Sequence, residues 1–191
     1  FAALKKDGSV IAWGDKYVFS DNYWRTSDLL SQGITKIVSN KFGFMAMRND
    51  NTAIYFGRNY TYNQNEANLI TTEIAGANVK EIIPCASAFS LLHNDGSVSM
   101  YIPENSKPEH PQFRSSTFDS VKDNLASGVK AIYPGYLSFC AVKENGDVYT
   151  WGRVKNHNHY QNTEDLTDGN IQHIYGGHLS FAALKNDGSV I

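Results

Sequence analysis

A hairpin motif that recurs five times constrains the fold of this chain more than any other feature of its sequence. The first and last copies, FAALKKDGSVI and FAALKNDGSVI, differ at one position, where Lys6 stands against Asn186. A second block, of the form Val-x-x-Ile or Ile-x-x-Ile, precedes each later copy at a period of 42 to 50 residues. Two motifs that recur in a fixed order predict a repeat architecture. The hairpin copies begin at Phe1, Phe44, Phe89, Phe139 and Phe181.

The residue types within each copy indicate β-structure. Asp-Gly or Asn-Gly pairs at the turns, such as Asp95-Gly96, are typical of two-residue type I′ hairpins. The arms are short and rich in Val, Ile, Phe, Tyr, Trp and Ala, and consecutive residues such as Val10 to Trp13 are apolar. A strand that is apolar on both faces is buried on both faces, and a radial stack of small sheets provides that burial.

Period and strand content together predict an all-β fold, a partial β-propeller with about four blades of four antiparallel strands. Helical repeats have a similar period, but the recurring unit here is a hairpin with β-rich arms. The whole chain, residues 1–191, is predicted to be a single propeller segment. The predicted repeats cover residues 1–43, 44–88, 89–138 and 139–180, with a partial repeat at 181–191.

Polar segments of different lengths separate each hairpin from the next Val-x-x-Ile block. In repeat proteins such segments form loops on one face or at the rim, which is often the binding side. Loop tyrosines and tryptophans offer rigid contact area with a polar tip, as in protein interfaces. The alternative, that these aromatics pack over the blade ends, stays open. The candidate binding residues are Tyr17, Tyr23, Trp24, Tyr60, Tyr62 and Tyr160.

Composition argues against several functional classes. The formal charge of −2 gives no electrostatic reason to expect nucleic acid as a partner. No apolar run approaches the roughly 20 residues of a membrane-spanning helix, so no membrane insertion is expected. His157 and His159 form an isolated pair without further ligands in register, and we predict no metal, no cofactor and no catalytic residue. Cys85 and Cys140 are predicted to be two buried free thiols.

The two motifs resemble the repeat of the regulator of chromosome condensation superfamily. Residues 126–132 and 183–190 are closest in style to bacterial members such as the propellers that inhibit β-lactamases. The Trp-Gly end of the repeat is intact at Trp13 and Trp151, whereas the Gly-x-x-His element is approached only at residues 176–178. The resemblance implies a seven-bladed ring, so this chain would be part of a longer propeller and would contact the rest of that propeller.

The resemblance implies a scaffold for protein contacts, and it carries no single activity with it. We therefore expect a non-enzymatic scaffold that presents variable loops on one propeller face to a protein partner. One alternative is a structural or surface element of a large extracellular protein or assembly. A second, by family analogy, is a regulator of the guanine nucleotide exchange type. The compartment stays open, with an extracellular or cell-surface location preferred to the cytoplasm.

Overall fold

A computed structural model describes residues 1–14, 28–60, 67–74, 78–103, 115–153, 170–178 and 180–191. The described residues form fourteen strands, one short helix α1 (Ser115–Asp119) and a 3-10 turn at Asp28–Leu30. The strands are β1 (Ala2–Leu4), β2 (Val10–Ala12), β3 (Ile34–Ser39), β4 (Gly43–Arg48), β5 (Ala53–Tyr60), β6 (Ala67–Ile74), β7 (Val79–Pro84), β8 (Phe89–His93), β9 (Val98–Tyr101), β10 (Val129–Pro134), β11 (Ser138–Lys143), β12 (Val148–Gly152), β13 (Ile171–Gly176) and β14 (Phe181–Lys185).

The strands pair with their sequence neighbours in five small antiparallel sheets. The sheet orders are β1-β2, β3-β4-β5-β6, β7-β8-β9, β10-β11-β12 and β13-β14. Within the described residues only the second sheet has the four strands predicted for each blade. The chain that follows β2, β9 and β12 soon enters ranges 15–27, 104–114 and 154–169, which lie outside the described residues.

The Val-x-x-Ile strands of successive sheets lie next to one another. Contacts join β3 to β7, β7 to β10 and β10 to β13. Since these are the first strands of their sheets, the sheets share one inner side and radiate from it as blades. The predicted partial β-propeller is therefore confirmed.

A β-bulge in each of these first strands explains the three-residue spacing of the Val-x-x-Ile motif. In β7, Val79 is opposite His93, and the next pair joins Glu81 to Leu92, so one residue is left over. Regular alternation would put residues three apart on opposite faces, and the extra residue returns them to the same face. Val79 and Ile82 accordingly lie in one buried cluster. The residues that the four bulges leave unpaired are Thr35, Lys80, Lys130 and Gln172.

All five hairpin turns are three-residue loops, so the prediction of two-residue type I′ turns is wrong. In the first turn the N–H of Lys5 donates to Ser9 O at 2.8 Å, and the N–H of Gly8 donates to Lys5 O at 3.0 Å. Type I′ needs positive φ at both central residues, but Gly8 (φ 79) has it and Asp7 does not. A type I turn that ends in one left-handed residue is the usual three-residue hairpin loop. In the second sheet Asn51 (φ 65) takes that place.

The aspartate of the turn closes this loop with its side chain. Asp7 Oδ1 accepts hydrogen bonds from the backbone N–H of Ser9 (2.9 Å) and from its hydroxyl (2.6 Å). Asp95 and Asp187 make the same pair of bonds to the serines two residues on. These bonds favour the charged carboxylate and lower the pKa of Asp7 to about 2. The repeated Asp-Gly-Ser sequence is thus explained by turn geometry.

The turns of the first three sheets also hold the first strand of the following sheet. The carbonyls of Gly8, Asn51 and Gly96 accept hydrogen bonds of 2.9, 3.0 and 2.9 Å from the first residues of β3, β7 and β10. Neighbouring blades are therefore joined by main-chain hydrogen bonds in addition to side-chain packing.

The core consists of apolar layers between neighbouring sheets. Phe139 and Trp151 are fully buried, stack at 5.6 Å, and fill the layer between the third and fourth sheets. The Trp151 indole Nε1 lies 3.1 Å from Met100 Sδ. Burial on both sheet faces agrees with the apolar strands of the sequence. Trp13 ends the apolar run from Val10 that the sequence predicts to be buried, but 38% of it is exposed and it stacks on Phe1.

Candidate functional site at the mouth of the axis

The binding residues predicted from the variable segments are not tested by the structure. Tyr60 ends β5 opposite Ala67, and its side chain lies outside the described part of the chain. Their role in binding stays a prediction. The positions outside the described residues are Tyr17, Tyr23, Trp24, Tyr62, Tyr160 and the histidines His157 and His159.

Four short loops, here called the axial loops, join the first strand of a sheet to the second. They comprise residues 40–42, 85–88 and 135–137, and the described residues 177, 178 and 180 of the fourth loop. Each is closed by the same main-chain hydrogen bond, from Asn40 N to Gly43 O in the first loop (2.9 Å) and at 2.8 to 2.9 Å in the others. The first strands lie nearest the propeller axis, so these loops surround the mouth of that axis.

Main-chain hydrogen bonds link each axial loop to the next. The N–H of Lys41 donates to Ala86 O (3.2 Å), that of Ala86 to Tyr136 O (2.8 Å), and that of Tyr136 to Gly177 O (3.0 Å). The backbone is closely packed at the last junction, because a Cβ on Gly176 would overlap the carbonyl oxygen of Pro134. The loops therefore form one continuous backbone frame.

The central position of this frame carries a different side chain in every loop. Lys41, Ala86, Tyr136 and His178 occupy equivalent positions. The N–H groups of the first three bond the next loop, and in the fourth loop the acceptor is Gly177 O. Tyr136 is 49% exposed, and its ring stacks on that of His178 with centroids 4.7 Å apart and planes inclined by 18°. The side chains at this position are thus free to differ without a change in backbone.

The axial loops line an open cavity of about 690 Å³. Its walls come from residues 39–40, 84–86, 134–136 and 176–178, which belong to four successive sheets. None of these residues is acidic, and Pro84, Ala86 and Pro134 make the wall largely apolar. A concave apolar surface with a few polar groups is typical of a binding site.

The polar groups at this mouth are suited to binding. Cys85 lines the cavity, but burial raises the pKa of its thiol, which disfavours the reactive thiolate. Asn40 Oδ1 accepts hydrogen bonds from Phe42 N (2.9 Å) and Gly43 N (3.1 Å), whereas its buried Nδ2 has no partner among the described residues. Within the same part of the chain, no three His, Cys, Asp or Glu residues are grouped to hold a metal ion.

The other chemistry-bearing residues have structural surroundings. His93 Nε2 lies 2.8 Å from Ser99 Oγ, and His173 packs against Tyr133 and Tyr175 at 4.8 and 4.6 Å. These contacts indicate a structural role for both histidines. Both cysteines are buried and free, as predicted, and burial raises the pKa of Cys140 to about 12.

A second, polar cavity lies on the opposite side, among the hairpin turns of the first two sheets. Its volume is about 460 Å³, and Asp7, Arg48 and Asp50 contribute to its lining. The carboxylates already accept hydrogen bonds from Ser9 and Thr52. Arg48 donates to a carbonyl of the 3-10 turn at 2.9 Å. The charged groups here serve the turns.

Sequence reasoning missed the axial loops because they lie within the repeat and not in the variable segments. A usable signal existed. When the repeats are aligned on their phenylalanines, the third residue before each later one is Lys41, Ala86, Tyr136 or His178. One strongly varied position between two regular motifs indicates a side chain that the fold does not specify.

Among the described residues, no helix is long and apolar enough to cross a membrane.

The fold and the axial mouth together define a partial β-propeller with a cavity at its axis. No family model and no curated protein matches the sequence. Among solved structures, the chain is similar to human WBSCR16, with a TM-score of 0.59, 15% identity, and coverage of 98% of this chain and 57% of that one. It is also similar to yeast RCC1 (Prp20) bound to Kap60, with a TM-score of 0.57, 14% identity, and coverage of 99% and 52%.

A third similar structure is Prp20p from Saccharomyces cerevisiae, with a TM-score of 0.57, 15% identity, and coverage of 99% of this chain and 53% of that one. The chain spans about half the length of these propellers. At such identities the likeness concerns the fold alone, and at that level the predicted resemblance to the regulator of chromosome condensation propellers is confirmed. The bacterial style of the repeats stays a prediction.

Proposed function

We propose that this chain is a non-enzymatic interaction module that holds a protein partner on the face formed by the axial loops. The observation that carries the proposal is the combination of a shared backbone frame with unlike side chains at one position, Lys41, Ala86, Tyr136 and His178, around an open cavity. A rigid frame with varied side chains favours recognition, because little ordering entropy is lost on binding.

Tyr136 is the residue most suited to anchor a partner. Its ring is half exposed, it is held against His178, and it stands at the edge of the cavity. Tyrosines in such positions are enriched among the residues that dominate protein interfaces. The predicted residues of the variable segments, such as Tyr60 and Tyr160, are proposed as further contact residues for the same partner.

The similar structures support a protein partner. Kap60 is bound to yeast RCC1 (Prp20), and Prp20p is described with binding properties to Gsp1p and histones. Kap60, Gsp1p and histones are partners of the yeast protein and are not assigned to this chain. The inference for this chain is limited to the class of partner, a protein, and to the use of the propeller as a scaffold.

Site-specific crosslinking on the full-length protein from its native source tests the proposal. A photo-crosslinking phenylalanine analogue replaces Tyr136 in one sample and the exposed Lys122, which lies outside the axial loops, in a control. We expect one stoichiometric protein to be captured from the Tyr136 position and not from the Lys122 position. Equal capture from both positions, or none from Tyr136, would reject the axial face.

The identity of the captured protein decides between the alternatives. Capture of further copies of this protein or of cell-surface material would favour the structural element. Capture of a small GTPase, together with accelerated nucleotide release from it, would favour an exchange regulator. Alanine replacements at Tyr60, Tyr62 and Tyr160 then test the variable segments. The replacements must weaken the complex if these segments belong to the interface.

A further inference from the structure

We propose that the segment held at the axial cavity is an acidic, extended peptide that places an apolar or aromatic side chain beside Tyr136. This inference rests on the proposed function and adds the chemistry of the partner. It follows from the charges at the rim, the apolar wall and one unpaired donor.

The charged side chains fixed to the axial frame are cationic. Lys41 is exposed at the central position of its loop, and its N–H is bonded to Ala86 O. Arg153 is also exposed, and its N–H donates to Leu137 O (2.7 Å), next to Tyr136. The axial loops carry no carboxylate among their described residues. Cations at a rim whose loops carry no carboxylate favour an acidic partner and speed its association.

The cavity wall provides the apolar part of the site. Pro84 and Pro134 line it from neighbouring sheets. Ala86, in the loop that follows Pro84, also lines it and bonds the loop that follows Pro134. Tyr136 and His178 form a stacked pair at its edge. Rings held in this way present an apolar face at fixed geometry, so a flat or branched side chain gains contact at low entropic cost.

Asn40 adds a hydrogen-bond donor that suits the oxygen acceptors of a peptide. Its Oδ1 is occupied by the N–H groups of Phe42 and Gly43, which fixes the orientation of the amide. The buried Nδ2 makes no hydrogen bond within the described residues, which is a costly state for a donor. A carbonyl or carboxylate oxygen of a peptide is the kind of acceptor that such a donor lacks.

A peptide fits these features better than a nucleic acid does. The chain has a formal charge of −2, and the described axial face fixes two cations, Lys41 and Arg153. Nucleic-acid affinity depends on the neutralisation of many phosphates by a basic surface. A short acidic segment requires only a few charges and an apolar anchor.

Selection from a random dodecapeptide library against the full-length protein tests this inference. We expect the enriched peptides to be net acidic and to contain an aromatic or branched apolar residue. Affinity of an enriched peptide should fall at least about tenfold in Lys41→Glu and in Tyr136→Ala, and by a similar factor in Arg153→Glu. The matched control Lys122→Glu changes the same charge away from the mouth and should bind normally. A circular dichroism melt of each variant verifies that it is folded.

Three outcomes would overturn the inference. These are enrichment of neutral or basic peptides, no enrichment at all, and tighter binding of a single-stranded dodecanucleotide that the same substitutions abolish. The proposed function has its own readout in the crosslinks from position 136. Crosslinks to a native protein, combined with a library that shows no acidic preference, would reject the peptide chemistry and leave the interaction module standing.

Discussion

The hairpin turns and the axial loops lie at opposite ends of the same strands. Both connect antiparallel strands, but different hydrogen bonds hold them in place. In the turns, the side chains of Asp7 and Ser9 are part of the loop, because the carboxylate bonds both the backbone and the hydroxyl two residues on. In the axial loops, the bonds from one loop to the next are between backbone groups, as from Ala86 N to Tyr136 O, and the structural side-chain bonds of Asn40 stay within its own loop. Turn sequences are therefore alike, whereas axial-loop sequences differ.

This difference shows where a repeat protein can change its surface. A turn residue whose side chain makes a structural hydrogen bond is constrained by folding. A loop residue that contributes only its N–H and C=O leaves its side chain unconstrained. Repetition in sequence accordingly marks the side chains that fold the protein, and its interruption at Lys41, Ala86, Tyr136 and His178 marks those that are free to recognise a partner.

The largest expected effect concerns the backbone of the axial frame. Gly176→Ala should lower the free energy of unfolding by about 2–3 kcal/mol, since the new Cβ overlaps Pro134 O and lies 2.7 Å from Gly135 Cα. Gly177→Ala is the matched control, because its nearest neighbours are atoms of Ser180 at 3.2 and 3.3 Å. It should cost less than about 1 kcal/mol. Urea unfolding of both variants measures the difference, and equal losses would contradict a rigid frame.

The next effect concerns the backbone of the turns. Gly96→Ala should cost about 2 kcal/mol, because the residue has φ +77 and its Cβ would lie 2.8 Å from the N of Gly128, the residue just before β10. Gly188→Ala shares the left-handed conformation (φ +85) but has no atom within 4 Å, so only the conformational cost of about 1 kcal/mol remains. Unfolding midpoints that fail to separate the two variants would show that contact with the next sheet is unimportant.

A smaller effect tests the side-chain bonds of the turns. Ser9→Ala should raise the pKa of Asp7 from about 2 towards its usual value of 3.8, because the hydroxyl bond favours the carboxylate. With the folded pKa lowered, the contribution of Asp7 to stability is present above about pH 4 and is lost as the pH falls towards 2. Carbon-detected NMR titration measures the pKa of Asp7 in the original protein and in the variant. Ser97→Ala is the control and should leave the pKa of Asp7 unchanged.

The smallest effect is expected from side chains at the central position of the axial loops. Tyr136→Ala and the reverse exchange Ala86→Tyr should each alter the free energy of unfolding by less than about 1 kcal/mol, because the backbone bonds persist. Chemical unfolding verifies this. A loss above about 2 kcal/mol in either variant would show that the side chain is structural and would remove the contrast with the turns.

The propeller could be predicted from the sequence because its strands repeat. Apolar runs such as those in β8 and β11 need burial on both faces, and the sheets provide it. The turn type could not be fixed, because Asp-Gly occurs both in two-residue loops and at the end of three-residue loops. The bulge that explains the Val-x-x-Ile spacing could not be predicted either, because its position depends on which residues pair across the two strands.

The candidate site was less accessible to sequence reasoning. The axial cavity arises from loops that lie about one repeat apart in the chain and meet only when the sheets are arranged around one axis. Tyr136 and His178 stack because their loops are joined by main-chain bonds, and no local pattern indicates that contact. The exposure of Trp13 was missed for a similar reason, since burial depends on the neighbouring sheet.

The hydrogen bonds that run from each turn to the first strand of the next sheet have a consequence for how the protein is made. Gly8 O receives Ile34 N, Asn51 O receives Val79 N, and the pattern continues to the fourth sheet. During synthesis, each emerging blade meets an acceptor that the preceding blade has already positioned. Assembly on the ribosome would therefore proceed in one direction, and a pause between blades would leave the apolar face of the last sheet uncovered until the next sheet packs against it.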